Sequence, residues 1–210
     1  MDVHAGTAPM SAKVAFRHLC PASWADFEEL FGEKGACGGC WCMYWRSSNK
    51  DFQVAKGRAN KTRLRELSKS EQPLGVVAYL EDRPVGWCSI SPRESLVRLK
   101  TSRYFQPVDD ADVWSLTCLF VDPGQRRKGL SVELIRAACA YAENLDARII
   151  ESYPLVASGR AVPDVFAWVG FDSTFEQAGF REVARPSASR SFMRYHAVPR
   201  ENLDRNAKNC

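Results

Sequence analysis

The chain carries one stretch that decides its fold, Val113-Trp-Ser-Leu-Thr-Cys-Leu-Phe-Val-Asp-Pro-Gly-Gln-Arg-Arg-Lys-Gly-Leu-Ser-Val-Glu-Leu-Ile135. An apolar strand runs directly into a basic turn that contains glycine, and this turn opens an amphipathic helix. Backbone N–H groups in the first turn of a helix have no partner within the helix, and the helix dipole adds partial positive charge there. A pyrophosphate group fits such a place. The stretch therefore predicts a phosphate cradle.

The cradle is predicted at the residues that close the turn and begin the helix, which are Arg126, Arg127, Lys128, Gly129, Leu130 and Ser131. Glycine at position 129 lets the backbone approach a ligand closely, since it has no side chain. The three basic side chains add formal charge for a phosphate. The alternative is an ordinary surface turn between a strand and a helix, with its basic side chains in solvent.

Composition is that of a globular domain. Of the 210 residues, 45% are apolar and 26% are charged, which suits one domain with its own core. We place this domain at residues 13–198, after a flexible lead over residues 1–12 and before a flexible polar tail over residues 199–210.

Partners are limited by charge and by the lack of long apolar runs. The net charge of +4 is too small to argue for nucleic acid as a partner. No apolar run approaches the roughly 20 residues that span a bilayer, and the N-terminus does not look like a secretion signal. We therefore expect a cytoplasmic protein with no membrane partner.

Apolar and turn patterns predict strands at residues 14–19, 74–80, 85–90, 113–121, 149–155, 180–184 and 192–197, and helices at residues 21–31, 52–68, 130–145 and 173–178. Residues 93–112 lack periodicity and are expected to form a loop with a short helical turn. Hairpin links give antiparallel neighbours and helical crossovers give parallel ones. The fold class is thus α/β (α+β), with a mixed central sheet of six to seven strands flanked by about four helices.

A family resemblance rests on the cradle and on two shorter motifs. The spacing Arg126-x-x-Gly129-x-Ser131 resembles the acetyl-CoA signature (Arg/Gln)-x-x-Gly-x-(Gly/Ala) of the GNAT N-acetyltransferase superfamily. Val121-Asp-Pro123 before the cradle and Gln177-Ala-Gly-Phe180 near the C-terminus are also similar to that family. Ser131 departs from the signature, but it is small and can donate a hydrogen bond. The likeness covers about residues 14–197.

The resemblance implies an enzyme that uses acetyl-CoA as its cofactor. It would transfer an acetyl group, by direct attack, to a primary amine of a small molecule or an amino-acid-like acceptor, and it would commonly form a homodimer. Two alternatives remain open. One is a non-catalytic acyl-CoA-binding module of the same fold that senses redox state or zinc, and the other is an N-acetyltransferase of proteins or peptides.

The resemblance also implies a cofactor slot in a splay between the strands at residues 113–121 and 149–155. Backbone groups of Leu119, Phe120 and Val121 would pair with the pantetheine arm. The N–H of Leu119 would polarise the thioester carbonyl.

Proton transfer is less determined by the resemblance, because Phe175 stands where many members carry a tyrosine that protonates the thiolate. Tyr153 is the preferred substitute, and the alternatives are Ser158, Ser173 and a water. Glu151 is the preferred base for the acceptor amine, with Asp112 as its alternative.

A loop rich in cysteine and aromatic residues, Cys37-Gly-Gly-Cys-Trp-Cys-Met-Tyr-Trp-Arg46, lies between the first two predicted helices. Our preferred interpretation is a substrate wall, in which Trp41, Tyr44 and Trp45 hold an aromatic or cationic amine by stacking or cation–π contact. The second interpretation is a zinc site formed by the thiolates of Cys37, Cys40 and Cys42, completed by Cys20 or His18. The third is a packed loop without ligands. The preferred interpretation predicts no metal.

Overall fold

The computed structural model describes residues 13–157, 162–163 and 167–197. The predicted lead and tail, and Ser158, lie outside these residues. Seven strands form one mixed sheet in the order β1-β2-β3-β4-β5-β7-β6. Their bounds are β1 Val14–His18, β2 Gly75–Leu80, β3 Arg83–Pro92, β4 Trp114–Val121, β5 Ile149–Ser152, β6 Arg181–Ser187 and β7 Arg190–His196. Only β4 and β5 pair in parallel, and the predicted mixed sheet is confirmed.

The α-helices of the described residues are α1 Trp24–Phe31, α2 Asn49–Ala55, α3 Arg58–Ser68, α4 Val97–Thr101, α5 Leu130–Glu143 and α6 Asp172–Gln177. The single helix predicted over residues 52–68 is two helices, because Gly57 between them has φ of 81° and leaves the helical conformation. The loop predicted over residues 93–112 contains α4. None of these helices combines the length and the apolar character that a bilayer crossing requires.

Each face of the sheet is covered by helices. Leu134 of α5 is buried against one face together with Cys88 of β3. Phe27 of α1 and Leu64 of α3 are buried against the other face with Trp87. Residues 87 and 88 alternate between the faces because side chains of a strand point to opposite sides in turn.

A bulge interrupts β4 at its middle. The register between β3 and β4 passes from Ser89↔Cys118 to Ile90↔Leu116 and leaves Thr117 without a directly opposed residue. An extra residue of this kind bends a strand and increases its local twist.

The parallel ladder between β4 and β5 ends close to that bulge. Its last pair is Leu116↔Ser152, and β4 continues to Val121 without β5 beside it. The second half of β4 thus has one edge on β3 and the other edge on an opening in the sheet, which leads toward the start of α5.

Candidate functional site

The turn that joins β4 to α5 is held by its own side chains. The carboxylate of Asp122 accepts a hydrogen bond from the Gly124 amide at 2.8 Å. The Nζ of Lys128 donates to the Gly124 carbonyl at 2.8 Å, and the Nε of Arg126 donates to the Val121 carbonyl at 3.1 Å. These contacts give the turn a fixed shape, and two of the three predicted cradle cations take part in them.

Gly129 caps the N-terminus of α5. Its φ of 83° is left-handed, and a Cβ placed on it would meet no atom within 4 Å. Arg127 in the same turn also has a positive φ, of 61°. The first amides of α5 have no acceptor within the helix, and none of the side chains that the structure describes caps them. The structure thus places an open helix N-terminus at the predicted cradle, with space above it for an anion.

The opening beside β4 is occupied by another part of the chain, residues 167–171, which we call the Trp168 segment. The amide of Leu119 donates to the Trp168 carbonyl at 2.7 Å. The amide of Leu155 donates to the Gly170 carbonyl at 3.0 Å, and the amide of Asp172 donates to the Leu155 carbonyl at 2.9 Å. The amide that was predicted to polarise a thioester is therefore engaged by a protein carbonyl.

Gly170 allows this close approach. A Cβ at that position would stand 2.9 Å from the ring of Phe175 and 3.0 Å from the Cδ1 of Leu119, and the φ of Gly170 is 75°. Any larger residue would both strain the backbone and push the segment away from β4. Phe175 is fully buried and packs edge-on against Phe180 at 5.1 Å.

Trp45 and Tyr44 form a wall next to the Trp168 segment. The indole Nε1 of Trp45 donates to the Thr117 carbonyl at 3.0 Å, at the bulge of β4. The ring of Tyr44 meets that of Trp45 at 5.3 Å and that of Trp168 at 5.0 Å, both edge to face. These two members of the predicted wall therefore lie beside the opening in the sheet.

Trp41, the third member, lies elsewhere. Its side chain is 3% exposed and stacks on Phe31 of α1 at 5.7 Å. The Nζ of Lys61 lies 5.1 Å from the centre of the ring. Trp41 is thus enclosed by protein groups, in the core on the side of α1.

The reason for this separation is the backbone between these residues. Trp41 and Cys42 have φ of 43° and 53°, and Ala36 has φ of 63°. Left-handed conformations are costly for residues other than glycine and often occur near functional sites. The indole of Trp87 donates to the Sγ of Cys42 at 2.7 Å and helps to hold this turn.

The cysteines of the loop do not form a metal site in the described residues, where no three His, Cys, Asp or Glu side chains are grouped to hold an ion. Cys37 is exposed and Cys42 is buried. Burial raises the pKa of the Cys40 thiol to about 11. His18 stacks on Tyr141 at 5.6 Å. The zinc interpretation receives no support.

Glu151 and Tyr153 lie inside the protein in one ionic network. The carboxylate of Glu151, 1% exposed, meets Arg194 at 2.8 Å and Arg93 at 3.3 Å. The hydroxyl of Tyr153 donates to Glu151 at 3.0 Å and lies 2.9 Å from the Ser115 hydroxyl. Burial, more than any neighbour, raises the pKa of Tyr153 well above its ordinary value.

The network extends to the surface through Arg194. Its two Nη atoms form a bidentate contact with Asp109, at 2.5 and 2.8 Å. This contact holds the pKa of Asp109 at about 2, well below its ordinary value. Arg93 also donates to the Phe105 carbonyl. The alternative residues Asp112 and Ser173 are both exposed.

Sequence reasoning missed Arg93, Asp109, Arg194 and Trp168. Each acts through a partner that is remote in the sequence, such as Asp109 with Arg194, 85 positions apart. An arginine in the apolar strand β7 was the one local signal, because a buried cation requires a counter-charge.

Comparisons with known proteins identify the family of this chain. The sequence model of the acetyltransferase (GNAT) family matches residues 41–163. This match covers more than half of the chain, which therefore belongs to the GNAT acetyltransferase family. A search of the curated proteins finds no match.

Two solved structures illustrate the shared fold. The PaiA N-acetyltransferase from Thermoplasma acidophilum, in complex with coenzyme A, is 14% identical with a TM-score of 0.50, over 88% of this chain and 99% of that one. A GNAT acetyltransferase from Streptococcus pneumoniae is 13% identical with a TM-score of 0.51, over 89% and 100%. At these identities the likeness concerns the fold alone.

Proposed function

We propose that this acetyltransferase moves the acetyl group of acetyl-CoA directly to the primary amine of a small or amino-acid-like acceptor. The observation that carries the proposal is the open, glycine-capped N-terminus of α5 at the end of β4. There the first amides of α5 and the side chain of Arg127 would hold the pyrophosphate of the cofactor.

The pantetheine arm would run from the cradle along the free edge of β4. The amide of Leu119 points away from β3, since its acceptor belongs to the Trp168 segment. The amide of Val121 points in the same direction, because residues two apart along a strand face the same side. Leu119 and Val121 would then pair with the arm in the manner of an added strand, while the backbone groups of Phe120 between them face β3.

The thioester carbonyl would take the place of the Trp168 carbonyl on the Leu119 amide. A fixed backbone donor at that position stabilises the negative charge that develops on the oxygen during attack. The reaction forms a bond from the amine nitrogen to the acetyl carbon and breaks the carbon–sulfur bond, and CoA leaves as its thiolate. Binding of the cofactor therefore requires the Trp168 segment to move.

Protons would be exchanged with solvent water rather than with Glu151 or Tyr153. The carboxylate oxygens of Glu151 already contact two guanidinium groups and a hydroxyl, which leaves little room for a proton from the acceptor. We assign to Glu151 and Tyr153 the positioning of Arg93 and Arg194. Phe175 cannot donate a proton, so the thiolate would be protonated by water.

The cradle is tested by a matched pair of substitutions, Gly129→Ala and Gly57→Ala. Both glycines precede a helix, have φ of 83° and 81°, and have open space where a Cβ would stand. Gly129→Ala should cost about 1 kcal/mol of stability, because the conformation of Gly129 is left-handed helical. Gly57→Ala should cost more, because the ψ of −123° at Gly57 lies in a region that favours glycine still more strongly. Only Gly129→Ala should place a methyl group against the pyrophosphate and weaken CoA binding, by about tenfold or more in a calorimetric titration. Equal CoA affinity in both variants would reject the cradle.

A further inference from the structure

The ring of Tyr44 has an arginine on its face. The guanidinium carbon of Arg98 lies 3.9 Å from the centre of the ring. One Nη of Arg98 donates to the Asn49 side chain at 3.3 Å, and its buried Nε has no hydrogen-bond partner among the described residues. Arg98 meets no carboxylate within the described residues.

A second arginine, Arg190, approaches the same tyrosine from β7. Its Nη1 donates to the Tyr153 carbonyl at 3.1 Å, and its backbone bridges Leu155, whose amide holds Gly170 of the Trp168 segment. Burial lowers the pKa of Arg190. In the part of the chain that the structure describes, this side chain forms no ion pair either.

Among the described residues, Arg98 and Arg190 lack the carboxylate partners that the neighbouring arginines have. Arg93 and Arg194, a short distance along the sheet, are paired with Glu151 and Asp109. A partly buried cation without an anion is unfavourable, so an anionic ligand at this wall would supply the charge that Arg98 and Arg190 lack.

The same geometry argues against a cationic head group at this wall. The face of Tyr44 is covered by the guanidinium of Arg98, and a second positive group there would be repelled by Arg98 and Arg190. A carboxylate, by contrast, matches the planar fork of a guanidinium and accepts two hydrogen bonds from it.

We propose that the acceptor carries a carboxylate, which is held by Arg98 and Arg190 beside Tyr44 while its amine faces Leu119. This inference rests on the proposed acetyl transfer. Tyr44 contacts Trp168 at 5.0 Å and the carbonyl of Trp168 is the group on Leu119, so this wall lies on the side of β4 where the amine would react. The acceptor class is thus free amino acids rather than amines without an acid group.

The test compares free L-amino acids with their α-amides, which keep the amine and the side chain but lose the carboxylate. Acetylation is followed by release of the CoA thiol. With wild-type protein the kcat/KM of the best amino acid should exceed that of its amide by about tenfold or more, because the amide cannot form the charge-assisted hydrogen bonds of the carboxylate. A preference for the amides, or for phosphoethanolamine over every amino acid, would overturn the carboxylate assignment.

Two variants assign the effect to the arginines. Arg98→Met and Arg190→Met should each raise KM for the acid about tenfold and leave the amide almost unchanged, and Arg98→Lys should restore part of the loss. Arg185→Met is the matched control, because Arg185 is exposed and pairs with Glu182; it should change neither substrate. Equal losses for acid and amide in the two Met variants would contradict the proposal.

A binding measurement separates this inference from the proposed reaction. Calorimetry on wild-type protein saturated with CoA needs no turnover. Tighter binding of an amino acid than of its amide supports the carboxylate site even if no amine is acetylated, in which case the proposed acetyl transfer alone fails. Binding that does not distinguish the two compounds rejects the site even if acetylation is observed.

Discussion

The amide of Leu119 and the carbonyl of Trp168 are joined by a hydrogen bond of 2.7 Å. This bond closes the opening beside β4 at the point where the acetyl group of the cofactor would lie. The cofactor and the Trp168 segment therefore compete for the same hydrogen-bond donor, the amide of Leu119. Ring contacts of Trp168 with Tyr44 at 5.0 Å and with Trp45 at 5.9 Å hold the segment in place.

Replacing Trp168 by alanine should consequently tighten CoA binding. Aromatic pairs of this kind contribute about 0.5–1.5 kcal/mol each, so losing both should lower the Kd for CoA by about fivefold to a hundredfold in a calorimetric titration. Trp168→Phe keeps an aromatic ring and should stay close to wild type. Weaker binding by Trp168→Ala would mean that the segment forms part of the cofactor site instead of blocking it.

The pH dependence of the reaction should follow the acceptor and not the enzyme. If solvent removes the proton, kcat/KM rises with pH until the amine of the acceptor is neutral, and the inflection moves with the pKa of that amine. Two acceptors whose amines differ by about two pKa units should give profiles displaced by the same amount. One shared inflection for both acceptors would restore Glu151 as the base.

Glu151→Gln should destabilise the fold strongly. The substitution leaves Arg93 and Arg194 without their shared buried carboxylate, and breaking a buried ion pair on one side costs about 3–5 kcal/mol. Urea denaturation should show this loss. The control is Glu182→Gln, which removes an exposed partner of Arg185 and should cost about 1 kcal/mol or less. Similar midpoints for the two variants would refute the structural role of Glu151.

Asp109 should stabilise the protein in a defined pH range. Its pKa is held at about 2 in the folded protein by Arg194, while an unfolded aspartate has a pKa of about 3.9. The contribution of Asp109 to the free energy of unfolding is therefore complete above about pH 5 and is lost as the pH falls through 2. The difference in Tm between wild type and Asp109→Asn should be largest near neutral pH and shrink on acidification. A difference independent of pH would exclude the ion pair as its cause.

The sequence predicted those parts of the molecule that depend on local pattern. β4 and the start of α5 agree with the prediction to within one residue, because apolar runs and a glycine at the cap are local signals. The prediction of one continuous helix over residues 52–68 was wrong. Its break depends on the left-handed φ of Gly57, and a glycine is also tolerated within a helix.

The rest depends on contacts between remote residues. Trp41 and Tyr44 are close in sequence, but Trp41 is buried in the core beside α1, whereas Tyr44 packs between that core and the one around Trp45. Trp41 and Cys42 adopt left-handed conformations that their residue types do not indicate. No periodicity in the sequence predicts that the carbonyl of Trp168 contacts the amide of Leu119 or that Asp109 pairs with Arg194. Such contacts follow from the assembled sheet.

The parallel ladder between β4 and β5 spans only the register from Trp114↔Ile150 to Leu116↔Ser152. Strands β1 to β4 and strands β5 to β7 are otherwise separate antiparallel blocks, so this short seam is the narrow junction of the whole sheet. Substitutions beyond it can widen or narrow the gap between the blocks while both ladders stay intact. A lineage of such proteins could thus change which compounds it admits without rebuilding its scaffold.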